Sequence, residues 1–132
     1  MTLRLLVLII LAIAIFNFAG IGQGWYWTIW WYDIPLHLAG GALVALLFFY
    51  LFREKWHIFD FREHPFAAFI LAMGFVALIG VLWELFEYGV DVIVLAKHSF
   101  PSAQPSLADT MGDFVNDLLG GTVLFLIWRN RN

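Results

Sequence analysis

A chain of 132 residues that is 63% hydrophobic and only 13% charged, with mean hydropathy +0.86 and net charge −3, lies outside the range of soluble domains and inside that of polytopic membrane proteins. The absence of cysteine excludes a disulfide framework, thiol catalysis and Cys-ligated zinc. With no basic run, no nucleic-acid partner is expected, and residues 1–132 read as one domain.

Taken in order, the apolar run from Leu3 to Phe18 extends into a first span over 3–22. One Arg before it and no A-x-A site after it favour a retained helix over a cleaved leader. Trp25, Tyr26, Trp27, Trp30, Trp31 and Tyr32 follow as an aromatic belt at headgroup level. Asp33-Ile34-Pro35 reads as an N-cap with proline in the first turn, opening a second span over 34–52. Residues 53–65 form the one strongly charged connection, expected as an amphipathic segment at the membrane surface with His57 and His64 in solvent. A third span over 66–96 is long for a ~30 Å hydrocarbon core, so it should tilt, kink or project. After a short turn with Pro101 and Pro105, Ser106-x-x-Asp109 starts a fourth span over 106–128. The expected fold is all-α, an integral membrane four-helix bundle.

The stretch from Ser106 to Gly121 is the most informative, because it sets three aspartates inside an apolar span. An ionisable group at bilayer depth costs at least ~2.5 kcal/mol, so these need partners. Asp109, Asp113, Asn116, Asp117 and Gly120 fall within roughly 100° of arc on a helix. Glu84, Glu87 and Asp91 share a stripe on the third span, and Asp33, His37, Gly40 and Gly41 share one on the second. Asp33 and Asp109 each have a capping explanation, and the glycines at 40, 41, 120 and 121 read as close-packing contacts. Glu84, Glu87, Asp113 and Asp117 have no cap position to occupy.

Arg4, Arg53, Lys55, Arg62, Arg129 and Arg131 fall on one side of a four-span topology and Lys97 on the other. This predicts an inner-membrane protein with both termini cytoplasmic. Asp33, Glu84, Glu87, Asp91, Asp109, Asp113 and Asp117 then gather in the outer half of the bilayer, with Lys97 as the obligate cation and His37 or His98 as optional ones. So many carboxylates in a weakly hydrated setting must share protons or hold a metal. Oxygen ligands suit Mg²⁺, Mn²⁺ or Ca²⁺, and His37 admits Zn²⁺ or Fe²⁺. The candidate metal ligands are Asp33, His37, Glu84, Glu87, Asp109, Asp113 and Asp117.

Three segments carry a resemblance: DIPLH from Asp33 to His37 with Gly40-Gly41 after it, WELFEY from Trp83 to Tyr88, and DTMGDFVNDLLGG from Asp109 to Gly121. In this order they resemble the YjdF-like family of small inner-membrane proteins. They are similar, more loosely, to VanZ-like proteins, whose elements fall on Asp33/His37, Glu84/Glu87 and Asp113/Asp117/Gly120. Ile34 stands where both families tend to have lysine, and Glu87 and Asp117 replace VanZ-like amides. The resemblance implies a four-span architecture and the grouping of these residues, and it supplies no reaction.

Three functions stay open on these residues. A metal-dependent membrane hydrolase or transferase would use the ion on a lipid or lipid-linked phosphate, with Glu87 or Asp113 as base and Gly40/Gly41 leaving room for a head group. An ion- or proton-handling protein would require a homo-oligomer, since four spans without an inverted repeat are few for a carrier. A non-catalytic accessory protein would use the acids as a hydrogen-bond network that locks the bundle.

Overall fold

The computed structural model describes residues 3–58, 63–98, 101–102 and 104–129. Five helices occupy them: α1 Leu3–Gln23, the short α2 Trp25–Thr28, α3 Asp33–Phe49, α4 Pro65–Val90 and α5 Leu107–Trp128. α3 runs on into a π-helical turn, Tyr50–Lys55, and α4 into another, Asp91–Leu95, closed by a 3₁₀ turn Ala96–His98. Four helices are long and apolar enough to cross a membrane: Leu3–Gln23, Asp33–Lys55, Pro65–Val94 and Leu107–Trp128. The architecture is an all-α membrane bundle. Its outward face carries Leu8, Ile15, Phe18, Phe66 and Leu85, all exposed, as expected where lipid rather than water is the solvent.

Helix–helix association in lipid depends on backbones coming close, because apolar side chains gain nothing by leaving the lipid tails. α3 and α5 use glycine for this. A Cβ on Gly41 would stand 1.9 Å from the Asp117 carbonyl oxygen, and one on Gly120 would stand 2.0 Å from that of Leu38. Gly121 sits less tightly, with Val76 and Met73 of α4 at 3.0 and 3.3 Å from the position of its absent Cβ, and Gly40 has only an ordinary contact. α3 and α5 run parallel, and α4 runs antiparallel to both. At the end where α3 and α5 finish, Phe48, Phe49, Phe125, Ala68 and Ala72 form the apolar core. The Phe49 and Phe125 rings stack at 5.4 Å.

Two expectations change in the structure, and two become more specific. Asp33 is not an N-cap: it lies inside the first turn of α3, after Tyr32 in helical conformation, and its carboxylate turns to His37. The aromatic belt divides, since Trp30 is 86% exposed and Trp31 is exposed. Tyr26 and Tyr32 instead turn inward, donating hydrogen bonds to Asn17 Oδ1 (2.7 Å) and the Phe16 carbonyl (2.6 Å) and so fastening α1. The third helix loses α-helical register at Asp91, where the side chain is drawn to the following loop. In the charged connection, residues 53–55 continue the π-helical turn and 56–58 are non-helical, while 59–62, with Arg62, lie outside the described residues, as do Arg131 and the His98 side chain.

Candidate functional site

The end of the bundle where α3 and α5 begin holds the polar residues. His37, one turn into α3, is buried at 5% exposure, as are Glu84 and Asp113. Asp117, one turn beyond Asp113, is also buried. Helical periodicity explains the selection, because 33 and 37, 113 and 117, and 84 and 87 are each one turn apart on a single face.

His37 organises the cluster. Its Nδ1 lies 3.3 Å from Asp117 Oδ1. Its Nε2 lies 3.5 Å from Asp33 Oδ1 and 3.8 Å from Asp113 Oδ1. With Nδ1 turned to Asp117, Nε2 faces two carboxylates. Charge-assisted N–H···O bonds run at about 2.7–2.9 Å; the Nδ1 separation of 3.3 Å is that of a longer hydrogen bond, and the two Nε2 separations lie further out still. Two ligand atoms on one tetrahedral ion, each roughly 2.1 Å from it, stand about 3.4 Å apart. A metal-ligating imidazole whose other ring nitrogen is held by a carboxylate is the common way such a ring is oriented.

Asp117 is in turn confined by glycines. Its Oδ2 would lie 2.8 Å from a Cβ on Gly80, its Oδ1 would lie 3.8 Å from one on Gly40, and its backbone meets Gly41. Gly80 went unnoticed in the sequence, although it precedes Glu84 by one turn on the same face.

Among the described residues, two triads of potential ligands share His37. Asp33, His37 and Asp113 offer atoms all within 4.8 Å of one another, and so do His37, Glu84 and Glu87. Asp117 serves His37 from behind. Asp109 belongs to neither triad: its backbone N–H donates to Ser106 Oγ (3.2 Å), and its place in the first turn leaves it one turn short of Asp113. The Ser106 cap is therefore as expected.

The loop before α5 also contributes. Gln104 Nε2 donates to the Glu84 carbonyl (3.0 Å) and to Glu84 Oε2, while Glu84 Oε1 is buried with no hydrogen-bond partner among the described residues. Ser102 Oγ donates to Asp91 Oδ2, and the Gln104 N–H donates to the same oxygen at 3.0 Å. The Trp27 indole donates to the Ser102 carbonyl (3.1 Å), tying the two connections at this end together. Gln104 gave no signal in the sequence because loops lack periodicity.

Tyr26 stands at the rim, within electrostatic reach of Asp33, Glu87 and Asp113. Burial, and after it the neighbouring Asp33 carboxylate, push its phenol far above the ordinary value, so it remains a donor to Asn17.

Over residues 1–132 the chain matches the family described as predicted membrane protein (DUF2238), and it belongs to that family. It is similar to an uncharacterized protein of Thermotoga maritima, at 29% identity over 126 residues and 93% of this chain. The chain spans 62% of that relative's length. No solved structure matches it.

Proposed function

We propose that this DUF2238 protein binds a divalent cation through His37 Nε2, Asp33 and Asp113, and works as a metal-dependent hydrolase or transferase on a lipid or lipid-linked phosphate. The observation that carries the reading is the pair of Nε2 separations, 3.5 and 3.8 Å, on a ring whose Nδ1 is occupied by Asp117. Glu87, half-buried beside the ion, is the candidate base for a water or hydroxyl nucleophile, and Asp113 both ligates and orients. The site's place near one end of the spans suits a substrate whose phosphate stands at headgroup level while its tail stays in lipid.

Support for sidedness comes from charge. Arg4, Arg53, Lys55 and Arg129 belong to the end of the bundle away from the cluster, which is the cytoplasmic end under the positive-inside rule. The YjdF-like and VanZ-like resemblances support treating Asp33, His37, Glu84, Glu87, Asp113 and Asp117 as one group.

The competing structural role has its own observation, the hydrogen bonds of Asp117 to His37 and of Gln104 to Glu84. It leaves the Glu84 Oε1 without a partner among the described residues. The test is phosphate release from phosphatidic acid or an isoprenyl phosphate in nanodiscs containing the metal-loaded protein. Turnover that disappears in Glu87→Gln and Asp113→Asn is expected. No turnover of any phosphate-bearing amphiphile by metal-loaded wild type would overturn the enzymatic reading.

A further inference from the structure

We infer that Glu84 and Glu87 hold a second divalent cation beside the one at His37, Glu87 through one carboxylate oxygen with the other left to act as base, so that the cluster is a two-ion centre. The inference rests on the one-ion reading and extends it.

The carboxylates form two triads that meet at His37, with Asp33 and Asp113 in one and Glu84 and Glu87 in the other. A single imidazole nitrogen serves a single ion, and Nδ1 is taken by Asp117 at 3.3 Å. The glutamate pair must therefore act through oxygen alone. That suits Mg²⁺ or Mn²⁺, which take one or two protein carboxylates and complete their shells with water and phosphate oxygens. A His-containing triad suits Zn²⁺, Fe²⁺ or Mn²⁺ instead, so the two positions differ in hardness.

Glu84 supplies the independent observation. It is buried at 5% exposure, and the Gln104 amide pairs one of its two carboxylate oxygens, Oε2. Oε1 remains buried with no partner among the described residues. A buried charged oxygen left unpaired is costly, and a cation satisfies it where no donor side chain does.

Charge points the same way. Asp33, Glu84, Glu87, Asp113 and Asp117 surround one imidazole. One divalent ion leaves three net negative charges at bilayer depth when all five are ionised, and two ions leave one. Paired ions about 3.5–4 Å apart stabilise the attacking and leaving oxygens of an in-line displacement, the chemistry of phosphate esters.

The experiment is equilibrium dialysis of EDTA-stripped, detergent-purified full-length protein against Mn²⁺, with bound metal counted and X-band EPR recorded. Glu84→Gln and Glu87→Gln are compared, each checked for folding by gel filtration and circular dichroism. Two Mn²⁺ per wild-type chain with an exchange-coupled spectrum, falling to one with an isolated-ion spectrum in either folded variant, is the expected result. One Mn²⁺ in the wild type, or two retained in both variants, overturns the assignment of a second ion to Glu84 and Glu87 and leaves the His37 site standing. No bound Mn²⁺ in folded wild type removes both.

Discussion

The imidazole Nδ1 of His37 and the Oδ1 of Asp117 meet at 3.3 Å across the α3–α5 contact, one turn from the point where the Gly41 and Asp117 backbones touch. Backbone packing and site chemistry are thus set by the same few residues. A shift of either helix by a fraction of an ångström changes how Nε2 faces Asp33 and Asp113.

Two glycine substitutions should separate packing from chemistry. Gly41→Ala places a methyl 1.9 Å from a backbone oxygen that cannot move without its helix, so the bundle should lose about 2 kcal/mol or more. Gly80→Ala meets the end of the Asp117 side chain at 2.8 Å and otherwise makes only ordinary contact with the Phe114 ring, at 3.5 Å. The fold should survive there while metal binding weakens roughly tenfold through the disturbed His37 partner. Thermal melts in detergent and Mn²⁺ titrations of both variants check this.

Asp117→Asn keeps the size of the side chain and removes its charge. Metal affinity should fall about 10- to 100-fold, the usual effect of losing the carboxylate behind a ligating histidine, with the number of bound ions unchanged at saturation. A loss of stoichiometry instead would make Asp117 a direct ligand. Competition against a chelator of known affinity distinguishes the two.

Tyr26 predicts a pH effect. Its phenol is held above the ordinary value of about 10 in the folded protein, so below that pH both folded and unfolded states keep the proton and no stability is lost. As pH rises past it, the unfolded state ionises first and stability should decline. Tyr26→Phe should flatten that decline while costing about 1 kcal/mol at neutral pH for the lost bond to Asn17. Denaturation in detergent between neutral pH and about pH 11 measures both.

Phe125 lies at the other end of α5, stacked on Phe49 and edge-on to Phe69 at 5.3 Å. Phe125→Ala should cost about 3–5 kcal/mol by leaving a cavity, and its effect should be independent of the distant polar cluster. Lower melting temperature with unchanged metal content per folded chain is the expected pair of results.

Much of this arrangement was legible before the structure. Four apolar runs mark the four long helices, and the spacing of Asp33/His37, Glu84/Glu87 and Asp113/Asp117 puts each pair on one face. Rotation of one helix against another is not encoded in spacing. Thus Asp117, a ligand candidate, turns out to lie behind His37, while Asp109 falls outside both triads. Capping statistics favoured Asp33 as an N-cap, but the helix begins one residue earlier, after Tyr32, and the Asp33 carboxylate faces His37 one turn on. Gln104 was invisible because its partner, Glu84, is twenty residues away through an irregular loop. Tyr26 was hidden among neighbouring tryptophans whose ordinary role at a membrane surface fitted the whole run.

Metal content measured by mass spectrometry on gently purified protein bears most directly on whether His37 and its carboxylates form an ion site. Wild type should carry, or take up on dialysis, at least one divalent ion per chain, and occupancy should be about tenfold or more lower in Asp113→Asn of the same elution volume. A monodisperse, helical wild-type protein that carries none and accepts none from Mg²⁺, Mn²⁺ or Zn²⁺ would contradict the account.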